Sequence, residues 1–372
     1  MTRAPDAIIV GAGIVGAACA RSLAREGMRV LVLDAGFAGG GATAAGMGHL
    51  VAMDDSEEQF TLTRQSVALW TELAAELPDA CEWDPCGTLW VAEDDEQMAA
   101  VRAKQAFYTA RGVAVELLDG SALARVEPSL RPGLAGALRV PGDAAIYPPA
   151  AALHLLERAR ALGAGLREGA RVIGIQERAV ELEGGERLEA DVIVNAAGAN
   201  AVRLTPGLPI VPRRGHLAIT DRYPGFCRHQ LVELGYLKSA HVMTSESVAF
   251  NVQPRRTGQL LIGSSRELAG WDAEINRGVL GAMLRRGIEF LPELSRLSVI
   301  RVWTGFRPAT ADKLPCIGPW DESPGLWIAA GHEGLGITTS LGTAALLAEL
   351  ILGRTPSIDP APFRPGRIGV AA

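Results

Sequence analysis

The decapeptide Ala7–Gly16 reads AIIVGAGIVG, a short apolar run followed by glycines in the spacing GxGxxG. The apolar run indicates a buried parallel strand, and the helical spacing of alanines that continues to Gly27 indicates a helix packed on it. A second apolar run, Arg29–Leu33, ends at Asp34. Parallel strands joined by a helix form a βαβ unit, so this segment predicts a doubly wound α/β sheet that binds a dinucleotide.

Each glycine of this turn has its own expected role. Gly11 permits the tight turn, Gly13 lets a pyrophosphate approach the backbone, and Gly16 lets the helix pack closely against the strand. The N-terminus of the helix offers amide N–H groups and a partial positive charge to the phosphates. Asp34, at the end of the second strand, is expected to accept hydrogen bonds from ribose hydroxyls.

The composition argues against several classes of protein. The chain has 372 residues, 48% of them hydrophobic and 21% charged, as in a globular enzyme of two domains or one large one. A net charge of −6 without basic blocks argues against nucleic-acid binding, and no apolar run approaches the roughly 20 residues of a membrane helix. The five cysteines form no CxxC pair, which predicts reduced thiols, a cytoplasmic location and no metal site.

Stretches typical of nucleotide-binding sheets occur at the start, in the middle and at the end of the chain. The middle one is Asp191–Gly198, and the last is Leu326–Ala330, which precedes the glycine-rich sequence GHEGLGITTSLG at 331–342. The segments between these stretches are rich in predicted strands and lack the pattern of nucleotide-binding sheets. We therefore predict one discontinuous cofactor-binding domain, formed by residues 1–80, 145–208 and 302–372, and an inserted substrate domain with a mixed or antiparallel sheet, formed by residues 81–144 and 209–301.

Six segments resemble, in order, the signature segments of the FAD-dependent D-amino-acid oxidase family, and together they cover nearly the whole chain. They are Gly11–Gly16, ATAAGM at 42–47, VNAAG at 194–198, GFRPATAD at 305–312, LPCIG at 314–318, and the Gly331-His332 pair with Gly336. Within the family, segments 47–54 and 331–342 are most similar to the glycine oxidase-like branch. That branch includes the flavin subunits of hydrogen cyanide synthase, D-hydroxyproline dehydrogenase and octopine or nopaline oxidase.

The resemblance implies a flavoprotein oxidoreductase that binds FAD in its Rossmann-type domain. The last glycine loop is expected to lie along the isoalloxazine ring, with the following helix directed at N1 and the C2 carbonyl. No cysteine occurs in the stretch Trp303–Arg307, where relatives attach flavin covalently, so FAD is expected to be non-covalent and Cys316 a core residue. The expected cofactor-binding residues are Gly11, Gly13, Ile14, Val15, Gly16, Asp34, Ala35, Ala42, Thr43, Ala45, Gly46, Met47, Gly48, Val172, Ala196, Ala197, Gly198, Gly305, Arg307, Gly331, His332, Glu333, Gly334, Leu335, Gly336, Ile337 and Thr338.

The resemblance also implies a substrate carboxylate bound by Arg307, because a guanidinium fork grips both carboxylate oxygens in one orientation. The alternative is a structural arginine paired with an acid such as Asp312. His49 is a second candidate catalytic and substrate-binding residue, since it is the largest polar group in its loop. His216 and Tyr236 are weaker candidates for substrate contact.

One departure from the family concerns the substrate. Some glycine oxidase-like relatives carry an arginine two residues after the Gly-His pair, where this chain has Gly334. A second carboxylate anchor is therefore missing at that position. Glu333 is expected to contact a cationic or amine group, and the substrate is expected to differ from glycine.

The implied reaction is hydride transfer from the substrate Cα to flavin N5, which gives an imine that water hydrolyses to a keto acid or aldehyde acid. No general base is evident, so desolvation is expected to lower the pKa of the substrate amine. The partners are an amino or imino acid and, as alternatives, other subunits or copies of the chain. The alternative functions are a flavin subunit of a multi-subunit dehydrogenase with little activity alone, and a non-catalytic flavin-binding assembly subunit.

Overall fold

The structure, a computed structural model, describes residues 4–176, 178–235 and 246–368. Its first sheet has six strands, five of them parallel, with one antiparallel strand at an edge. Beginning with the antiparallel edge, the strands are Cys316–Pro319, Leu326–Ala330, Val192–Asn195, Ala7–Val10, Val30–Leu33 and Gly165–Arg167. The sheet thus joins strands from the start, middle and end of the chain.

The predicted βαβ unit lies at the centre of this sheet and is confirmed. Strand Ala7–Val10 is buried along its whole length and pairs in parallel with Val30–Leu33, and helix Ile14–Arg25 connects the two. The first strand pairs on its other side with Val192–Asn195. A strand buried on both sides and both faces must be apolar throughout, which is why the run AIIV marks it in the sequence.

Different layers cover the two faces of the six-stranded sheet. Helices Ile14–Arg25, Pro148–Ala161 and Gly336–Ile351 pack on one face. The other face is covered by a three-stranded antiparallel sheet, whose hydrophobic side shares a core with the parallel strands. Its strands are Val172–Gln176, Ala179–Leu182 and Arg187–Glu189. The α/β class is confirmed, with this small sheet as one of the covering layers.

The second large sheet has eight strands and is mixed, because one neighbouring pair is parallel and the others are antiparallel. Helices Gly120–Val126 and Arg277–Phe290 pack on one face, and helix Asp95–Ala110 covers part of the other. In spatial order, the strands are Val299–Ala309, Val211–Thr220, Leu260–Glu267, Glu246–Pro254, Gln230–Glu233, Thr88–Ala92, Gly136–Val140 and Glu116–Asp119.

Other elements of the described residues include helices Gly41–Ala44, Glu57–Leu73 and Ala201–Leu204 and the short paired strands His49–Leu50 and Ala144–Ala145. The predicted segment boundary at 301/302 falls inside strand Val299–Ala309 of the eight-stranded sheet, and the division into segments stays a prediction. Among the described residues, no helix combines the length and apolar character needed to cross a membrane.

Candidate cofactor and substrate site

A cavity of about 550 Å³ runs from the GxGxxG turn of the six-stranded sheet to the eight-stranded sheet. Of the forty-two described residues that line it, twelve are glycines. Glycine lets a ligand approach the backbone without meeting a side chain, so this wall is built for contact with main-chain atoms. The lining includes the turn after the first strand and the loop before helix Gly336–Ile351.

The glycines of the turn are required by its backbone. Gly11 has φ of +110°, and a Cβ atom there would lie 2.5 Å from the carbonyl oxygen of Ala196. A Cβ atom at Gly16 would lie 1.9 Å from the carbonyl oxygen of Gly11. Gly13 has no such strain, lines the cavity and immediately precedes helix Ile14–Arg25. The turn and packing roles expected of Gly11 and Gly16 therefore agree with this geometry.

Two side chains tie neighbouring loops to this turn. Asp34 is half-buried in the cavity wall, where its Oδ2 accepts a hydrogen bond of 2.7 Å from the amide of Ala12. Its Oδ1 accepts one of 2.8 Å from Gly36. Thr43 is buried, and its Oγ1 accepts a hydrogen bond of 3.0 Å from the amide of Ile14. The helix amide of Ile14 thus has a protein partner, and Asp34 is fixed at the cavity edge.

The final glycine loop delivers a second helix N-terminus to the same cavity. Gly336 and Ile337 line the cavity, and no side chain among the described residues caps the first turn of helix Gly336–Ile351. The partial positive charge of that helix end is therefore available to a ligand. His332 is buried, and its Nε2 lies 3.0 Å from the Oγ1 of Thr343. Burial lowers the pKa of His332 to about 3, so its imidazole is neutral and packs the loop against the helix.

Acid unfolding should reveal the neutral state of His332. Its pKa falls from an ordinary 6.5 to about 3, so the unfolded chain binds a proton that the folded chain does not. The contribution of His332 to the free energy of unfolding is fully present above its ordinary pKa and is lost as the pH decreases. About 3 kcal/mol of it is lost at pH ~4. A His332→Gln variant should show a shallower loss of unfolding free energy between about pH 7 and pH 4 in urea titrations. Equal pH slopes in both proteins would contradict this assignment.

Arg307 lies in strand Val299–Ala309 and is half-buried in the wall of the cavity. Its Nη1 donates a hydrogen bond of 2.9 Å to the carbonyl oxygen of Ser265. The guanidinium lies over Gly215, where a Cβ atom would come within 2.1 Å of Nη1. Asp312, the alternative partner, is bound instead by Arg367 at 2.7 Å. The glycine at position 215 of the neighbouring strand therefore leaves room for the guanidinium at the cavity surface.

Glu333 lies close to arginine side chains of the protein. Its Oε1 accepts a hydrogen bond of 3.1 Å from the Nε of Arg266 and lies 4.0 Å from the Nη1 of Arg213. Burial alone raises the pKa of Glu333, but the nearby Arg266, Arg307 and Arg213 outweigh burial and lower it to about 2. Glu333 is therefore ionised, and arginines occupy the place of the cationic partner expected from the sequence.

The histidine candidates differ in position. His49 lines the cavity, and its Nε2 has no hydrogen-bond partner among the described residues. His216 is fully buried and absent from the cavity lining; its Nδ1 lies 2.9 Å from the Oγ of Ser265, and its Nε2 accepts a hydrogen bond of 3.0 Å from the amide of Asn276. This geometry supports a structural contact for His216 and does not support the predicted substrate contact. Tyr236 lies outside the described residues.

Most of the residues expected to bind the cofactor line the cavity, and four do not. Gly16 is packed beneath the turn, and Gly331 follows strand Leu326–Ala330 and lies against Thr310. Leu335 lines a smaller adjoining cavity, and the Oγ1 of Thr338 donates to the carbonyl oxygen of His49. Sequence reasoning missed several lining residues that lie outside the signature segments: Phe37, Arg171, Asn200, Arg203, Leu217, Asn251 and Ser264.

This combination of a GxGxxG sheet, a long glycine-lined cavity and two helix N-termini is that of a dinucleotide-dependent oxidoreductase. The chain matches the FAD dependent oxidoreductase (DAO) family over residues 6–350 and belongs to that family. Its cofactor is therefore FAD. The cavity fits this group, because its glycine-rich wall exposes main-chain atoms from the GxGxxG turn to the loop before helix Gly336–Ile351. No cysteine occurs among the described lining residues, and non-covalent attachment stays a prediction.

Proteins of known activity are similar to this chain over nearly its whole length. It is 29% identical to hydrogen cyanide synthase subunit HcnC of Pseudomonas aeruginosa and 30% identical to glycine oxidase of Geobacillus kaustophilus, in each case over 100% of both chains. The crystal structure of the latter has a TM-score of 0.89, covering 99% of this chain and 100% of that one. Iminodiacetate oxidase of Chelativorans sp. BNC1 has a TM-score of 0.83 at 25% identity, covering 96% and 98%.

Proposed function

We propose that this protein oxidises the CH–N bond of an amino or imino acid, giving an imine that water hydrolyses to a keto acid or aldehyde acid. The observation that carries the proposal is Arg307, whose guanidinium lies at the surface of the FAD cavity close to Gly334 of the last glycine loop. The similarity of the chain to glycine oxidase and iminodiacetate oxidase supports the same class of substrate.

Arg307 would bind the substrate carboxylate. Its Nη1 donates to the carbonyl oxygen of Ser265, which limits rotation of the side chain at the cavity surface. A bidentate grip orients the substrate Cα, and such orientation removes part of the entropic barrier to reaction. When bound, FAD accepts the hydride that leaves Cα. The residues of the chain supply orientation, charge and exclusion of water.

The substrate amine must be neutral when hydride leaves. His49 is expected to be neutral as well, because burial lowers its pKa to about 4. With an Nε2 that has no partner among the described residues, it can accept a hydrogen bond from the amine. A base with so low a pKa removes a proton poorly at neutral pH, so we assign His49 to orientation. Desolvation in the closed cavity would lower the pKa of the amine itself.

The helix that begins at Gly336 would stabilise the reduced cofactor. Reduction adds negative charge to the flavin, and the uncapped N-terminus of this helix carries a partial positive charge at the cavity. Fixed dipoles of this kind stabilise developing charge without reorganising. The loop 331–337 is thus proposed to serve both cofactor binding and electron acceptance.

A second candidate function is that of a flavin subunit that needs a partner for full activity. The similarity of the chain to HcnC, a subunit of hydrogen cyanide synthase, favours this candidate. All five cysteines are unpaired, which supports a reducing, cytoplasmic location. Partner subunits and homo-oligomers remain alternatives within the same proposal.

Turnover with a panel of amino and imino acids tests the proposed function. The holoenzyme should release a keto or aldehyde acid, together with ammonia or an amine, from at least one member of the panel. Parallel assays with oxygen and with an artificial quinone distinguish an oxidase, which forms peroxide, from a dehydrogenase. An absence of product with both acceptors would contradict an independent catalytic function and favour a subunit or assembly role.

A further inference from the structure

A second cavity, of about 80 Å³, adjoins the FAD cavity, and His49 lines both. Its volume is several times the roughly 10–15 Å³ that one water molecule needs. Four atoms of its lining residues are buried and have no hydrogen-bond partner among the described residues: His49 Nε2, Gln59 Nε2, Trp90 Nε1 and Asn251 Oδ1. Two of them can donate hydrogen bonds and two can accept them. Water does both, so this cavity suits a small cluster of water molecules.

A buried carboxyl group lies next to Thr88, another lining residue of the small cavity. This carboxyl belongs to Asp143, which is 2% exposed and whose Oδ1 accepts a hydrogen bond of 3.2 Å from the amide of Ala52. Its Oδ2 has no hydrogen-bond partner of normal geometry among the described residues. Thr88 is fully buried, and its side chain is close enough to Asp143 to lower the pKa of the carboxyl. The hydroxyl of Thr88 therefore connects the cavity wall with Asp143.

Backbone pairing fixes the positions of Asp143, Thr88 and His49 relative to one another. The short strand that directly follows Asp143 pairs with the strand that begins at His49. The carbonyl oxygen of Asp143 accepts a hydrogen bond of 3.1 Å from the amide of Gly87, the residue before Thr88. The histidine, the hydroxyl and the carboxyl are therefore held around the same small cavity by main-chain contacts.

Burial and a few titratable neighbours determine the charge of Asp143. Burial raises its pKa to about 7, against the opposing effects of its hydrogen bonds and of the nearby Lys104, which forms an ion pair with Asp54. Two further neighbours are neutral near pH 7, because burial raises the pKa of Cys86 to about 12 and that of Tyr108 well above its usual range. A carboxyl that titrates near neutral pH can accept a proton and return it between turnovers.

From this arrangement we infer that Asp143 takes up the proton that the substrate amine loses before hydride transfer, by way of water in the small cavity and the hydroxyl of Thr88. The inference rests on the proposed function. An N–H bond of the substrate ammonium breaks, and its proton passes to the water. The water protonates Thr88 as the hydroxyl gives its own proton to the Oδ2 of Asp143. The Cα–H bond then breaks, its two electrons leave with the hydride, and the substrate becomes an iminium ion.

An Asp143→Asn variant tests this role, because its amide oxygen can still accept the hydrogen bond from Ala52. The readout is the rate of flavin reduction at saturating substrate without oxygen, as a function of pH. At pH ~8 the variant should be slower by about a hundredfold, at the lower end of the roughly 10²- to 10⁴-fold effect of a proton acceptor. At pH ~5.5 the wild-type carboxyl is itself mostly protonated, so the two rates should differ by only a few-fold. A purely structural role would lower the rate by the same factor at every pH.

Variants of Thr88 test the path of the proton. Thr88→Val removes the hydroxyl and should slow flavin reduction about as much as Asp143→Asn, and the double variant should be no slower than the slower single variant, because both changes interrupt one path. Thr88→Ser keeps the hydroxyl and should retain most of the wild-type rate. Asp119→Asn, a change at an exposed helix cap, should leave the rate and its pH dependence unaltered. Additive losses in the double variant would overturn the shared path.

Infrared difference spectroscopy of the oxidised holoenzyme tests the carboxyl without turnover. A protonated-carboxyl band should appear as the pH falls through about 7 and should be absent from Asp143→Asn. Identical infrared titrations of the two proteins, or a rate ratio that does not change with pH, would overturn the role of Asp143 while the wild type still oxidises its substrate. If no amino or imino acid reduces the wild-type flavin, the proposed function itself fails, and the infrared titration still decides whether Asp143 binds a proton.

Discussion

Replacing Arg307 by alanine should lower kcat/KM for the carboxylate substrate by about a thousandfold. Two charge-assisted hydrogen bonds to the carboxylate are lost, each worth roughly 1.5–3 kcal/mol. Part of the loss should appear in kcat, because the carboxylate grip also orients Cα. Arg307→Lys keeps the charge but loses the planar fork, so it should recover only part of the activity. The measurement is steady-state kinetics at constant FAD content.

The control for this prediction lies on the same strand. Arg301 is exposed at the other end of Val299–Ala309, and Arg301→Ala should leave kcat/KM within about twofold of the wild type, as surface charges contribute little. The substrate amide provides a chemical control, since it should be a poor substrate of the wild type and lose little more in Arg307→Ala. Normal KM and kcat in Arg307→Ala would contradict the carboxylate assignment.

A Gly13→Asp substitution should yield folded protein without FAD. Gly13 has an ordinary extended φ of −69°, and the Oγ1 of Thr43 is the nearest atom that a Cβ would meet, at 3.1 Å. The fold should therefore tolerate a side chain. A carboxylate at this helix N-terminus would face the pyrophosphate, and like charges about 4 Å apart repel by about 4 kcal/mol at an effective dielectric constant of ~20. FAD affinity should fall by at least about a hundredfold.

Two variants separate charge from size in this experiment. Gly13→Ala adds only the Cβ atom and no charge, so it should weaken FAD binding less than Gly13→Asp does. Gly142→Asp places the same charge on an exposed turn with no atom within 4 Å and should bind FAD normally. Flavin content after gel filtration and far-ultraviolet circular dichroism report binding and folding separately. Gly13→Asp protein purified with bound FAD would contradict the pyrophosphate assignment.

The sequence was sufficient for the parts of this molecule that depend on local pattern. A buried central strand must be apolar, and the turn after it needs glycine at a positive φ, so AIIVGAG identified the βαβ unit directly. The resemblance pointed to the distant loops that meet at the cavity, such as the one around Gly334. The local pattern carried no information about how far apart those loops lie in space.

The predictions that the geometry did not support have a common physical cause. His216 was selected for its chemistry, but side chains alternate across a strand, and Arg213, Gly215 and Leu217 are the residues of that strand that line the cavities. This alternation of side chains would have excluded His216 from the candidate substrate-binding residues. The contact between Glu333 and Arg266 joins residues 67 positions apart in sequence, through the pairing order of the sheet, so no local signal predicted it.

The most direct test of the central claim is anaerobic mixing of the purified yellow holoenzyme with single amino and imino acids. The account predicts that at least one such acid bleaches the visible flavin band, that deuterium at its Cα slows the bleaching, and that the corresponding carboxamide bleaches it far more slowly. A holoenzyme whose flavin stays oxidised with every amino and imino acid, yet is reduced readily by dithionite, would contradict oxidation of an amino or imino acid at this site.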